Sequence, residues 1–194
     1  MSEGGVEMPM TLTRSFFAVI LPGVVAVAPW ALYGLQEISG LAGLYKEYTA
    51  PVQICAFSLV VVVGGVIEAL GTYMEKMWDV RAAAGPEPSE IENWLDKDWY
   101  DYLAKRFGDN EPVAYRYLSR KVTELYFELG LMVAAPIGLL GILLILRSHT
   151  SSMVLCLSLM LVPILVIVFW RFARDTHEVL YDARYRIVRR LPTA

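Results

Sequence analysis

Four apolar runs, at 16–35, 52–73, 126–146 and 153–170, decide most of what this 194-residue chain can fold into. A hydrocarbon core about 30 Å thick takes roughly 20 residues of helix, and each run reaches or approaches that length. Bare backbone has no water to bond to at that depth, so such a run crosses as a helix that satisfies itself. Glu68 in the second run and Glu128 in the third are the only acidic or basic residues inside the four. The expected fold is an all-α integral membrane protein. It has four transmembrane helices, a helical cytoplasmic hairpin with a stalk at 74–125, and a basic helical tail at 171–194. The links at 36–51 and 147–152 are expected outside, and the N-terminal 1–15 inside.

Composition narrows the classes further. With 56% hydrophobic and only 19% charged residues, the chain is too apolar to stay disordered. The net charge of −3 and the lack of a long basic run argue against a nucleic-acid partner. The first run reads as a span and not as a cleaved leader. It is long for a leader's apolar segment, Glu3 and Glu7 precede it, and no A-x-A-like site follows closely. Cys55 and Cys156 both lie inside apolar runs with no C-x-x-C spacing, so they read as small buried hydrophobes.

Orientation follows from the cations. Fifteen of the seventeen lysines and arginines fall at Arg14, in 74–125 or after Trp170, and only Lys46 and Arg147 fall in the other two links. The positive-inside rule then puts both termini and the central segment in the cytoplasm, and the topology suits a bacterial inner membrane. Phe16, Phe17, Tyr73, Trp78, Tyr126, Phe127, Phe169 and Trp170 make the inner aromatic belt, with Trp30 and Tyr33 near the outer face.

The spans differ in character. Pro22 and Pro29 interrupt the first, and Pro163 can bend the fourth. Gly64 and Gly71 share a face of the second, while Gly130, Ala134 and Gly138, with Gly141 slightly offset, form a small-residue stripe on the third. Stripes of this kind let helix backbones approach closely, so these residues are the expected packing and oligomer contacts. The fourth span has few small residues and is expected to face lipid.

Between the second and third spans, the Gly-Pro-rich stretch at 82–88 breaks the helix, and Ser89 and Glu92 form a capping box for a helix over 90–107. From Pro112 no breaker occurs before Pro136. The third membrane helix should therefore start well inside the cell, with Tyr115, Leu118, Val122 and Leu125 as its packing stripe. The tail should continue the fourth span, with Phe172, Leu180, Ala183 and Ile187 along one face. The central segment is net −3 and the tail net +3. The two are expected to dock, and the rival is tail arginines lying on anionic headgroups.

Candidate chemistry is sparse. Glu68 is expected about 10 Å inside the inner face, seven residues before Glu75. A carboxylate there costs of order 2–3 kcal/mol unless paired, protonated or hydrated. Glu128 sits at similar depth and Glu124 one turn further out, so the three are candidates for an ion or proton site at the inner mouth. Arg171 and Arg174 are alternative structural partners. His177 and Glu178 are adjacent, with no H-E-x-x-H pattern, so no metal and no cofactor is expected, and His177 reads as an interface histidine. Nucleotide loops and nucleophile elbows are absent from the sequence. Trp94, Trp99, Tyr102, Tyr115, Arg116, Tyr117, Arg184, Tyr185 and Arg186 interleave aromatic and cationic groups, as a partner or ligand surface does.

Three function classes remain. The first is a non-enzymatic, homo-oligomeric membrane module whose cytoplasmic part binds a protein partner or signal. Its spans transmit that signal or permeabilise the bilayer, as a defence or stress effector would. The second is a proton- or cation-linked channel or carrier using Glu68. The third is an intramembrane enzyme.

Overall fold

The computed structural model describes residues 14–38, 40–83, 113–147 and 150–189, with the backbone alone at 83, 113–116 and 185–189. Among them helix is the only regular structure. A π turn, Phe16–Ile20, leads into α1, Leu21–Glu37. A short α2, Leu41–Glu47, precedes the long α3, Thr49–Ala83. Then come α4, Val113–Leu146, α5, Ser152–Leu159, and α6, Leu161–Arg189. Four helical stretches are long and apolar enough to cross a membrane: Phe16–Glu37, Thr49–Ala82, Tyr117–Leu146 and Ser152–Arg184.

Prolines explain the irregular places. Pro22 has no N–H for the Ala18 carbonyl, and its ring needs room beside that group. The wide π turn just before it supplies the room and closes with the Leu21 N–H on the Phe16 carbonyl. Pro163 cannot bond Leu159, and the fourth stretch breaks one turn upstream, where the Met160 N–H turns back to Leu157. The break at α5–α6 divides what the sequence reads as one span at 153–170. The expected plain link at 36–51 contains α2, entered through Gly40 at φ 93°, a left-handed conformation that glycine alone adopts freely.

The packing centres on α4, which meets α6 and α1 most extensively, and α1 in turn lies against α3. The backbones of α1 and α3 touch reciprocally. The Val60 carbonyl oxygen stands where a side chain on Gly23 would be, and the Val19 carbonyl where one on Gly64 would be. Two Cα–H···O contacts of this kind contribute about 0.5–1 kcal/mol each. Against α4, Pro22 fills the space over Gly130, and Pro29 with Trp30 fills that over Gly141. Pro29 also leaves the Val25 carbonyl without its helical donor, and that oxygen meets Gly138. The Trp30 indole N–H donates to the Ile137 carbonyl at 3.0 Å. Ala26, Ile67 and Ala134 fill the core between the three helices.

A second core lies at the charged end of the bundle, where Trp78, Leu118, Leu125, Leu129, Ala173 and Leu180 are buried together. The stalk expected from 112 onward is therefore helix continuous with the third span, and Leu118, Val122 and Leu125 pack there. On α6 the buried face is Ala173, Thr176, His177 and Leu180, at helical spacing. Phe172, expected on that face, is exposed, because residue 172 lies about 100° from 173 around the helix. The apolar half of the fourth stretch has no buried residue, in line with a lipid-facing helix. Cys55 and Cys156 are exposed, not buried: their helices turn these faces away from the bundle.

Candidate functional site

The polar groups of α3, α4 and α6 converge at the charged end of the bundle. Thr72, Glu75 and Asp79 recur at three- and four-residue spacing on α3, so they share one side of that helix. Glu75 is only 9% exposed. Its Oε2 accepts the Tyr126 hydroxyl of α4 at 2.6 Å, and its Oε1 faces an Arg184 Nη of α6 at 3.5 Å. The Arg14 guanidinium lies over the Tyr126 ring, 5.2 Å from its centre. A short, charge-assisted hydrogen bond and a near-buried ion pair thus join three helices through one carboxylate.

One turn on, Asp79 Oδ1 and His177 Nε2 are 2.8 Å apart. The His177 ring is edge-on to Trp78 and stacked on Tyr181. Trp78 in turn meets Trp170 edge to face, with ring centres 5.3 Å apart. His177 is 5% exposed, so Asp79 is what makes an imidazole tolerable between the Trp78 and Tyr181 rings. Asp79→Ala should strand that ring and lower stability by about 1–3 kcal/mol, read from the midpoint of a detergent-to-SDS unfolding titration. An unchanged midpoint would show that the pair is ornamental.

The three carboxylates expected together are not all together. Glu128 lies on the side of α4 that faces α6, with the Thr176 hydroxyl as its hydrogen-bonding neighbour and Glu124 and Asp175 as nearby charges. Its Oε2 is buried without a partner. Glu124 is paired with Lys121 at 2.8 Å. Glu68 is half-buried on α3, and among the described residues its carboxylate has no hydrogen bond or ion pair. The Thr72 hydroxyl bonds the Glu68 carbonyl, not its carboxylate, at 3.0 Å, and neighbours the Tyr126 hydroxyl. Glu68 is not among the charges acting on Glu128. Arg174 pairs with Glu178 on its own helix.

Of the aromatic and cationic candidates, Arg184 enters the Glu75 cluster, and Tyr117 is exposed on α4. Trp94, Trp99 and Tyr102, with the capping box and the 90–107 helix, lie outside the described residues. So do the side chains of Tyr115, Arg116, Tyr185 and Arg186. Gly64 meets Val19, Gly71 meets Leu129, Gly130 meets Pro22 and Gly138 meets Val25, while Ala134 is fully buried. Sequence reasoning missed the joint role of Glu75, Asp79, Trp78 and Trp170. Their spacing on α3 was the available signal, but the partners stand 51 and 98 residues away. Among the described residues no group of His, Cys, Asp and Glu side chains can hold a metal ion. Comparison with protein-family models, curated proteins and solved structures gives no match.

Proposed function

We propose that the protein is a non-enzymatic, self-associating membrane module that receives a partner at its charged end and passes the effect to its spans. In this reading the termini and 74–125 are cytoplasmic, an orientation the cation asymmetry favours, and the topology suits a bacterial inner membrane. The observation that carries it is the continuity of α3, α4 and α6. Each runs unbroken from apolar to charged surroundings, and there the Glu75 and Asp79 clusters join the three. A push on any of these ends moves a rigid helix inside the bilayer, which is the physical form that coupling between sites takes.

A photo-reactive side chain at Tyr117, exposed on α4, should capture one reproducible partner in living cells. Adding that partner to labelled protein in liposomes should change a distance between labels at the far ends of α1 and α4. No capture at Tyr117 and at neighbouring exposed positions, or no change in distance, overturns the reading. A second reading rests on Glu68, a carboxylate within a candidate span with no partner among the described residues. If the purified chain alone moves protons or cations across liposomes, Glu68→Gln should abolish the flux, and the carrier reading replaces the first.

A further inference from the structure

We infer that the protein assembles with copies of itself through a seam in which α3 of one copy lies along α6 of the next, closed at its charged end by Glu68 against Arg171. The inference rests on the membrane-embedded reading above and names the surface of its self-association.

Three observations carry it. On α3, Ile54, Phe57, Val61, Gly65 and Glu68 fall at three- and four-residue spacing, so they form one stripe. Ile54, Phe57 and Val61 are exposed. On α6, with Met160 at its head, Ile164, Ile167 and Arg171 form a second exposed stripe at the same kind of spacing. Each stripe is apolar and ends in a single charge, acidic on α3 and basic on α6. Neither charge has a hydrogen bond or ion pair among the described residues.

The second observation is Gly65. Gly23, Gly64, Gly130, Gly138 and Gly141 each have a neighbour where a side chain would sit, whereas Gly65 faces open space. A glycine inside a helix costs about 0.5–1 kcal/mol relative to alanine. Those five repay it by close packing within the protomer. Gly65 sits on the exposed stripe, where only another molecule's helix can use the close approach it permits.

The third is height. The Asp79–His177 contact fixes α3 and α6 relative to each other, and both run toward the charged end. Glu68 lies eleven residues before Asp79 and Arg171 six before His177. Their backbones therefore differ in height by about 7.5 Å at 1.5 Å per residue, within the combined reach of the two side chains. Copies in one membrane share an orientation, and rotation about the membrane normal preserves height. The match within one protomer is thus a match between neighbours. Because the two stripes are different surfaces, the contact is head-to-tail, and it makes a ring where the rotation between neighbours closes and an open row where it does not. Glu68, costly in lipid and without a partner among the described residues, gains a cation, and Arg171 need not extend to the headgroups.

The test uses full-length protein labelled for energy transfer between copies in liposomes, with carbonate-resistant insertion checked for every variant. Loss of insertion overturns the membrane reading itself and is distinguishable from loss of association. Wild type should associate. Glu68→Gln and Arg171→Gln should each weaken association about tenfold, the double variant no further, and the exchanged pair E68R/R171E should recover it. Gly65→Ile should weaken association without lowering the protomer's unfolding midpoint. With both native cysteines replaced by alanine, Val61→Cys and Met160→Cys together should oxidise to dimers and ladders. Monomeric wild type, association indifferent to both charges, or a disulfide formed only within one chain would each overturn the seam.

Discussion

Gly64→Val should pull α1 away from α3 and give the largest loss of stability of any single change in the apolar bundle. The valine Cβ would have to occupy the place of the Val19 carbonyl oxygen, and backbone cannot swing aside as a side-chain tip can. Overpacking typically costs about 1–3 kcal/mol, and an obstruction made of backbone belongs at the upper end. The loss is shared, because Gly23 faces Val60 in the reciprocal contact, and separating one contact opens the other. An SDS unfolding titration in mixed micelles reads the effect, with Gly65→Val as its neighbour in sequence and its opposite in setting. A Gly64→Val midpoint no lower than that of Gly65→Val would mean that the two backbones do not meet as described.

Glu75→Ala should be the corresponding lesion at the charged end. It removes the acceptor of the Tyr126 hydroxyl and the counter-charge of Arg184 together, in a place that is 9% exposed. Breaking a buried pair by deleting one partner costs up to about 3–5 kcal/mol, and the loss of Glu75 takes this counter-charge from Arg184. Arg184 is 14% exposed at its side chain, so the lower figure is the appropriate one. Tyr126→Phe removes only the hydrogen bond and should cost about 1–2 kcal/mol. In the double variant the two losses should fall short of their sum, since the bond between Tyr126 and Glu75 is already gone once Glu75 is replaced. Additive losses, or a Glu75→Ala cost under about 0.5 kcal/mol, would remove Glu75 from the centre of the cluster.

What the sequence revealed and what it hid divide along a physical line. Long apolar runs interrupted by prolines and small residues report themselves locally, so the four stretches and the extension of α4 beyond the apolar run were legible from spacing alone. The unbroken interval from Pro112 to Pro136 was enough to place Leu118, Val122 and Leu125 on a packed face. Glu75 and Asp79 were not legible as a site. Just past the end of an apolar run, a carboxylate looks like any solvated charge, and only the tertiary fold brings Tyr126, His177 and Arg184 to it. Phe172 shows the opposite error. A large apolar residue attracts a core assignment, yet the helix phase fixed by Ala173, Thr176 and His177 turns it outward. The cysteines misled for the same reason, since apolar surroundings in the sequence do not distinguish a protein core from a lipid-facing surface. Glu68 was visible as an exception from the start. That its carboxylate has no partner among the described residues, and that Glu128 belongs to a different seam, came only from the packing.

The meeting of Val25 with Gly138 also sets an order in time. Pro29 strips the Val25 carbonyl of its helical partner, and the surface that receives that oxygen is made 113 residues later in the chain. At 5–20 residues per second, ribosomal synthesis needs roughly 6 to 23 seconds to reach it. Through that interval α1, long and apolar enough to cross a membrane, carries a carbonyl without the surface that receives it. The first helix to be made is therefore among the last to be finished.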